Sequence, residues 1–227
     1  MILVPVKDLR NAKQRLSHVL SAASRTELAH AMLNDVLRAI SEFGEDDVSV
    51  VTSDRYALDL AKQHGFEIIR DDSNVSETDA IAMATEICAA RGIETTLVLP
   101  GDIPLIEAED VHTIYENAPA RGSVLAPSSD KRGSNAMLRR PAGLFPLRFG
   151  NDSFMPHLAA AIATDTSCVV VSLPRIGLDI DTLEDLLQLS QAPGEKLSQL
   201  LARKLVAEVR RSAAHEFANE TRLTANC

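Results

Sequence analysis

The stretch Leu97-Val98-Leu99-Pro100-Gly101-Asp102-Ile103-Pro104-Leu105-Ile106 runs an apolar segment straight into a carboxylate flanked by two prolines and a glycine. Strands buried on both faces of a parallel sheet read as such continuous apolar runs, and open α/β sheets bind ligands just beyond the carboxyl ends of their strands. Asp102 is therefore expected at the rim of a crevice, not in a core. A second acidic cluster, Gly177-Leu178-Asp179-Ile180-Asp181-Thr182, repeats the pattern. Together the two suggest carboxylates converging on a divalent metal.

Upstream of this stretch, apolar strands alternate with amphipathic helices. Ile2 to Val6 reads as a strand, and Ser24-Arg25-Thr26-Glu27 has the capping-box spacing that opens a helix bearing Leu28, Met32, Leu33, Val36 and Ile40 on one face, stopped at Gly44. Val48 to Thr52 is a second strand, with Ser53 as cap of the next helix and Gly65 as its terminator, and Phe66 to Ile69 is a third strand. An alanine-rich helix over 79–91 leads to the strand ending at Leu99. Right-handed crossovers turn this β-α-β-α-β-α-β order into a mostly parallel sheet with helices on both faces.

Downstream the pattern is less regular. A helix is expected over 107–117, strands over 123–126, 135–139 and 168–173, and helices opening at Ser153 and at Thr182-Leu183-Glu184-Asp185, where Asp181 is an alternative cap. The segment 140–152, rich in Pro, Gly and aromatics, reads as an active-site loop. The domain is expected to span 1–192, followed by a C-terminal helix and polar tail over 193–227 whose Leu197, Leu200, Leu201, Leu205 and Val209 suit packing on the domain or on a second copy in a homodimer.

Composition narrows the class. At 227 residues the chain suits one large α/β domain. No apolar run approaches the roughly 18 residues needed to span a bilayer, and the first residues lack the basic lead of a signal peptide. A membrane role is not expected. A formal charge of −9 disfavours binding to nucleic acid. Cys88, Cys168 and Cys227 have neither metal-like nor disulfide-framework spacing, which fits a reducing cytoplasm.

The residues that carry chemistry lie at strand ends. Lys7, Arg10, Lys13 and Arg15 cluster after the first strand, and phosphoryl or nucleotidyl transfer needs positive charge where phosphates and a pyrophosphate leaving group lie. Asp102, Asp179 and Asp181 offer the hard oxygen ligands that Mg²⁺ shares with phosphates and water. Ser153, at a helix start, is a plausible anion site. His157, one turn further on, either faces the pocket or is structural or solvent-exposed. No P-loop, G-x-G-x-x-G or G-x-S-x-G pattern occurs.

Six segments occur in family order: Val4-Pro5-Val6-Lys7, Ala12-Lys13-Gln14-Arg15-Leu16-Ser17, Leu99-Pro100-Gly101-Asp102-Ile103-Pro104, Gly133-Ser134-Asn135-Ala136, Arg148-Phe149-Gly150-Asn151-Asp152-Ser153 and Leu178-Asp179-Ile180-Asp181-Thr182. This ordered set resembles the 2-phospho-L-lactate guanylyltransferases (CofC/FbiD type) of deazaflavin coenzyme F(420) biosynthesis, over roughly residues 2–189. The resemblance implies a Rossmann-like, GT-A-like three-layer α/β/α nucleotidyltransferase fold with a mostly parallel mixed sheet. It also implies a reaction in which a phosphorylated three-carbon acid (2-phospho-L-lactate, phosphoenolpyruvate or 3-phosphoglycerate) takes GMP from GTP and releases pyrophosphate.

By position, the resemblance places Mg²⁺ on Asp102, Asp179 and Asp181, and the acid on Lys7, Asn135, Gly150 and Ser153. Lys13 and Arg15 would stabilise the triphosphate, with Pro100 and Gly101 beside the nucleotide. Lys7, Lys13, Arg15 and Asp102 form the catalytic set. Where the family often carries a Gly-Leu-Asn type sequence, this chain has Ser76-Glu77-Thr78-Asp79, and Glu77 or Asp79 could accept hydrogen bonds from guanine N1 and N2. The alternatives weighed against this reading are another nucleotidyltransferase of the same fold (molybdopterin, cobinamide-phosphate or sugar-phosphate type) and a non-catalytic nucleotide-binding module. The glycine-free Lys7-Asp8-Leu9-Arg10-Asn11-Ala12-Lys13 counts against the former.

Overall fold

Seven strands form one sheet in the order β3-β2-β1-β4-β6-β5-β7. They are β1 (Ile2–Val6), β2 (Val48–Thr52), β3 (Glu67–Arg70), β4 (Thr96–Val98), β5 (Gly122–Pro127), β6 (Ser134–Arg140) and β7 (Ser167–Val170). Helices α1 (Ala22–Phe43), α2 (Arg55–Gln63), α3 (Glu77–Ala90), α4 (Ala108–Glu116), α5 (Phe154–Ile162), α6 (Leu183–Gln191) and α7 (Leu197–Thr224) connect and cover them. This computed structural model describes residues 1–73, 75–150 and 152–224, and of 213–224 only the helical backbone; Asn151 and Cys227 lie outside the described residues.

Strand β1 is buried along its whole length because helices cover both faces of the sheet. Ile2, Val4 and Val6 pack against Leu33, Val36, Leu37 and Ile40 of α1 and against α2 and α4. Leu3 points the other way, into a layer made with Ile81, Ala84 and Cys88 of α3 and Phe154 of α5. Each large side chain so buried contributes about 1.5–3 kcal/mol. Among the described residues no helix is long and apolar enough to cross a membrane.

Two features of the sheet place the site. The chain winds from β1 through β2 to β3 on one side, then crosses to β4 on the other side of β1, so the β1/β4 junction is the switch point where such sheets leave a crevice. Strand β6 runs antiparallel to both β4 and β5. Its start therefore lies on the same edge as the carboxyl ends of β1 and β4. With Val98 paired to Met137, Asn135 lies just beyond β4, beside the turn that carries Asp102.

Helix starts differ from the sequence reading in consistent ways. Helix α1 begins a turn earlier than Ser24, because Ser21 accepts the hydrogen bond from Ser24 N. Asp54 caps α2 instead of Ser53, and α3 begins at Glu77 under the cap of Ser76. In each case the side-chain oxygen that accepts from a first-turn amide N–H sets the helix start. Ser153 makes no side-chain cap on α5; its Oγ accepts from Ser134 N at 3.2 Å instead. Thr182, with Asp185, forms the capping box of α6, which leaves Asp181 available to the crevice.

The start of α7 docks into the domain. Ala202, Leu205 and Val206 pack with Leu186 and Leu189 of α6 and with Leu28 and Met32 of α1, while Leu197 and Leu200 stay exposed. Buried Asp35 of α1 accepts from Leu197 N at 3.2 Å and Ser198 N at 2.8 Å, so one helix caps another from a distance no local pattern records. Asp35→Ala is expected to destabilise the fold by about 2 kcal/mol, measured by chemical denaturation, with faster amide exchange in the first turn of α7.

Candidate active site

The chain leaves β1 at Val6 and, after one 3-10 turn over Leu9–Asn11, brings Lys13 into the left-handed region at φ 56°. That conformation costs a non-glycine residue about 1 kcal/mol. Two ion pairs hold it in place. Lys13 Nζ donates to Asp102 Oδ2 at 2.5 Å and to Asp181 Oδ1 at 3.0 Å, with only 7% of its side chain exposed. Burial alone would lower the lysine pKa, but Asp102 and Asp181 outweigh it and hold it above the usual value.

Arg15 joins them, its Nη1 lying 3.2 Å from Asp181 Oδ2. Burial works to raise the Asp181 pKa, yet Lys13 and then Arg15 bring it below the ordinary carboxylate value. Asp179 behaves differently. Burial raises its pKa, and the nearby Asp102 and Asp181 charges push the same way against the Asn135 hydrogen bond. Asn135 Nδ2 donates to Asp179 Oδ1 at 3.0 Å and to the Ile176 carbonyl at 2.9 Å. Ile180 N donates to the Asp102 carbonyl at 3.2 Å, stitching the two acidic loops together.

These residues suit a divalent cation. Asp102 and Asp181 already aim oxygens at one positive centre, and all three carboxylates are hard donors. Among the described residues no group of three His, Cys, Asp or Glu side chains is drawn close enough to form a metal cage by itself.

Two lobes of a cleft meet at Glu77, Pro100 and Asp102. One, of about 270 Å³, is lined by Lys7, Lys13, Met32, Leu33 and Gly101 besides those three. The other, of about 280 Å³, adds Arg15, Asn135, Gly150, Ser153, Asp179 and Asp181. A Cβ on Gly101 would lie 3.1 Å from the buried Leu33 side chain, so glycine lets the turn after β4 pack closely on α1. Glu77, at the junction, has its pKa raised to about 7, first by burial and then by the charge of Asp102.

The sequence-derived residues are thus brought together with two exceptions. Lys7 lies in the first lobe, not with Asn135, Gly150 and Ser153. It pairs with buried Asp71 at 2.6 Å. Asp79 lines neither lobe; its Oδ2 accepts from Ser76 Oγ at 2.6 Å within the cap of α3.

Sequence reasoning passed over Asp71, whose only signal was its place at the end of β3. It also left His157 undecided. The structure buries His157, with Nε2 accepting from Arg148 N at 2.8 Å and Nδ1 lying 2.9 Å from Ser134 Oγ.

Cations at a β1 carboxyl edge, facing acidic loops across a two-lobed cleft in this mixed sheet, define a nucleotidyltransferase. The chain belongs to the family described as guanylyl transferase CofC like, whose model matches residues 1–222. It is 37% identical over 90% of its length, and 94% of the relative, to a phosphoenolpyruvate guanylyltransferase of Roseiflexus castenholzii. It is 33% identical over 81% of each chain to a 2-phospho-L-lactate guanylyltransferase of Methanothermobacter thermautotrophicus, and 31% identical over 82% of its length and 88% of the relative to a 3-phospho-D-glycerate guanylyltransferase of Colwellia psychrerythraea. A putative nucleotide-diphospho-sugar transferase from Desulfovibrio desulfuricans superposes with a TM-score of 0.75 at 18% identity, covering 92% of this chain and 96% of that one. At that identity the likeness concerns the fold.

Two predictions follow from the site's electrostatics. Lys13→Met leaves Asp102 and Asp181 facing each other without their ammonium, so the ligand-free variant is expected to lose about 1–2 kcal/mol of stability. Millimolar Mg²⁺ should raise its melting temperature by more than it raises that of the wild type. Burial, reinforced by the Arg139 charge, lowers the His157 pKa to about 4. The unfolded chain therefore binds a proton that the folded chain refuses between pH 6.5 and 4, and stability falls as pH drops through that window, by about 3 kcal/mol. The difference in unfolding free energy between wild type and His157→Gln should narrow by that amount from pH 7 to pH 4.

Proposed function

We propose that this chain transfers GMP from GTP to a phosphorylated three-carbon acid, in the formation of deazaflavin coenzyme F(420). The observation that carries the reading is the Lys13 ammonium held between Asp102 and Asp181, with Arg15 at its side. Positive and negative groups are thereby concentrated where a triphosphate and its cation would meet. The candidate acids are phosphoenolpyruvate, 2-phospho-L-lactate and 3-phosphoglycerate. Phosphoenolpyruvate leads because the relative acting on it is the most similar of the three at 37% identity.

In this reaction a phosphate oxygen of the acid attacks the α-phosphorus of GTP. The new P–O bond forms as the bond to the α,β-bridging oxygen breaks, and pyrophosphate leaves with the electron pair. A phosphate monoester is largely ionised at neutral pH, its second pKa being about 6, so the nucleophile needs no general base.

In this reading Lys13 and Arg15 stabilise the charge that builds on the triphosphate. The first lobe takes the nucleoside, with Pro100 and Gly101 alongside it and Glu77 accepting from guanine N1–H and N2–H. The second lobe takes the acid through Asn135, Gly150 and Ser153. Lys7, steadied by Asp71, completes the positive side. Asp102, Asp179 and Asp181 would hold Mg²⁺, which would supply positive charge against that developing on the phosphates.

A domain over 1–192 followed by a C-terminal helix and polar tail, a homodimer formed through that helix and a cytoplasmic setting belong to the same proposal. The exposed Leu197 and Leu200 support the dimer. The free thiols of Cys88 and Cys168 support a reducing compartment.

The test is pyrophosphate release from GTP and Mg²⁺ with each of the three acids. Turnover with at least one is expected, and Asp102→Asn should lower kcat/KM by about 10³-fold. Absence of release with all three acids contradicts the functional reading. Unimpaired turnover by Asp102→Asn contradicts the role given to the carboxylate.

A further inference from the structure

We propose that the Ser134 hydroxyl is a hydrogen-bond donor to the acceptor acid and that His157 is the positioning residue that fixes its polarity. This rests on the functional reading above and extends it to two residues outside the family-derived set.

Hydrogen-bond logic assigns the tautomer. A backbone N–H can only donate, so the 2.8 Å contact from Arg148 N requires an unprotonated Nε2 on His157. The ring of neutral imidazole then carries its proton on Nδ1, which donates to Ser134 Oγ at 2.9 Å. Ser134 thereby has a lone pair engaged and its own proton unused. Among the described residues that hydroxyl proton has no acceptor. The residue lines the second lobe at the start of β6.

The other donors of that lobe are mostly committed. Asn135 directs its amide at Asp179 and the Ile176 carbonyl. Ser128 Oγ bonds Asp130 at 2.6 Å, and Arg132 is forked onto Asp152 at 2.6 and 3.4 Å. An incoming carboxylate or phosphate finds several fixed anions there and few open donors, so an unused hydroxyl proton has disproportionate weight. His157 also orders the wall around it. Its Nε2 holds Arg148, next to Phe149, whose N–H bonds Thr78 Oγ1 at 2.9 Å, and the Phe149 ring meets the imidazole edge-on at 5.7 Å. One buried ring thus fixes both the hydroxyl donor and the loop leading to Gly150.

The test compares wild type, Ser134→Ala, His157→Asn, His157→Gln and the double variant Ser134→Ala/His157→Gln in the pyrophosphate assay, after checking that each melts cooperatively. Ser134→Ala should raise KM for the acid about tenfold, the loss expected for a hydrogen bond to a charged group, while KM for GTP stays within about twofold. His157→Gln loses the Nδ1 donor and should raise the acid KM similarly, whereas His157→Asn keeps a donor at that position and should recover part of the loss. The double variant should resemble Ser134→Ala alone, because both changes remove one interaction.

An unchanged acid KM in Ser134→Ala, or effects that multiply in the double variant, overturns the proposal. Ser134→Ala removes only an oxygen and decides the matter even if the histidine variants fail to fold. Lack of turnover by the wild type with every acid defeats the functional reading, and this proposal with it. That outcome is distinguishable from wild-type turnover with an unaffected Ser134→Ala.

Discussion

The ammonium of Lys13, shared between Asp102 and Asp181, is the interaction on which the site depends. It joins three segments far apart in sequence: the loop after β1, the turn after β4 and the loop before α6. The ammonium sits directly between two carboxylates at 2.5 and 3.0 Å, distances where unit charges at an effective dielectric near 20 attract by about 6 kcal/mol before the cost of desolvation. Without it, two carboxylates would face one another with a third, Asp179, beside them. The left-handed backbone of Lys13 is held by this gain and has no other evident cause. Leu16, three residues on, is fully buried with Leu28 and Met32, so the loop is anchored on the α1 side too.

The sheet makes this convergence possible. Parallel β1 and β4 deliver Lys7 and Asp102 to a common edge, and antiparallel β6 begins where they end. Its first residues, Ser134 and Asn135, form the facing wall. The β1 side presents Lys7, Lys13 and a partly apolar lobe, and the β6 side presents amide and hydroxyl donors with Arg15 among carboxylates. Glu77, Pro100 and Asp102 stand between the lobes, where bond exchange between two bound phosphates would occur.

Much of this was legible in the residues. The apolar runs at 2–6, 48–52 and 97–99 marked strands because both faces are covered, and Gly44 and Gly65 marked helix ends through the left-handed backbone they adopt at φ 62° and 71°. Asp102 was legible as a candidate site residue because a carboxylate ends the apolar run at 97–99, and Asp181 because it belongs to a second acidic cluster just before a helix start. Partnerships across long separations left no local trace. The pairing of Lys7 with Asp71 rather than with the acid-side residues depends on β1 and β3 ending at one edge. The capping of α7 by Asp35 spans more than 160 residues. Asp79 looked equivalent to Glu77 in sequence, but the helix start at Glu77 turns Asp79 back onto Ser76. His157 could not be assigned from sequence because its role depends on Arg148 and Ser134, both outside its own helix.

Lys13 holds the two carboxylates together, and in the proposed reaction it turns its charge to the triphosphate when nucleotide binds. A crystal structure with Mg²⁺ and a GTP analogue resistant to α-phosphorus attack tests this most directly. The account predicts Lys13 Nζ within hydrogen-bond distance of a phosphate oxygen, with Asp102 and Asp181 on the metal. A structure with nucleotide and metal bound in which Lys13 still bridges both carboxylates, with no phosphate contact, would contradict it.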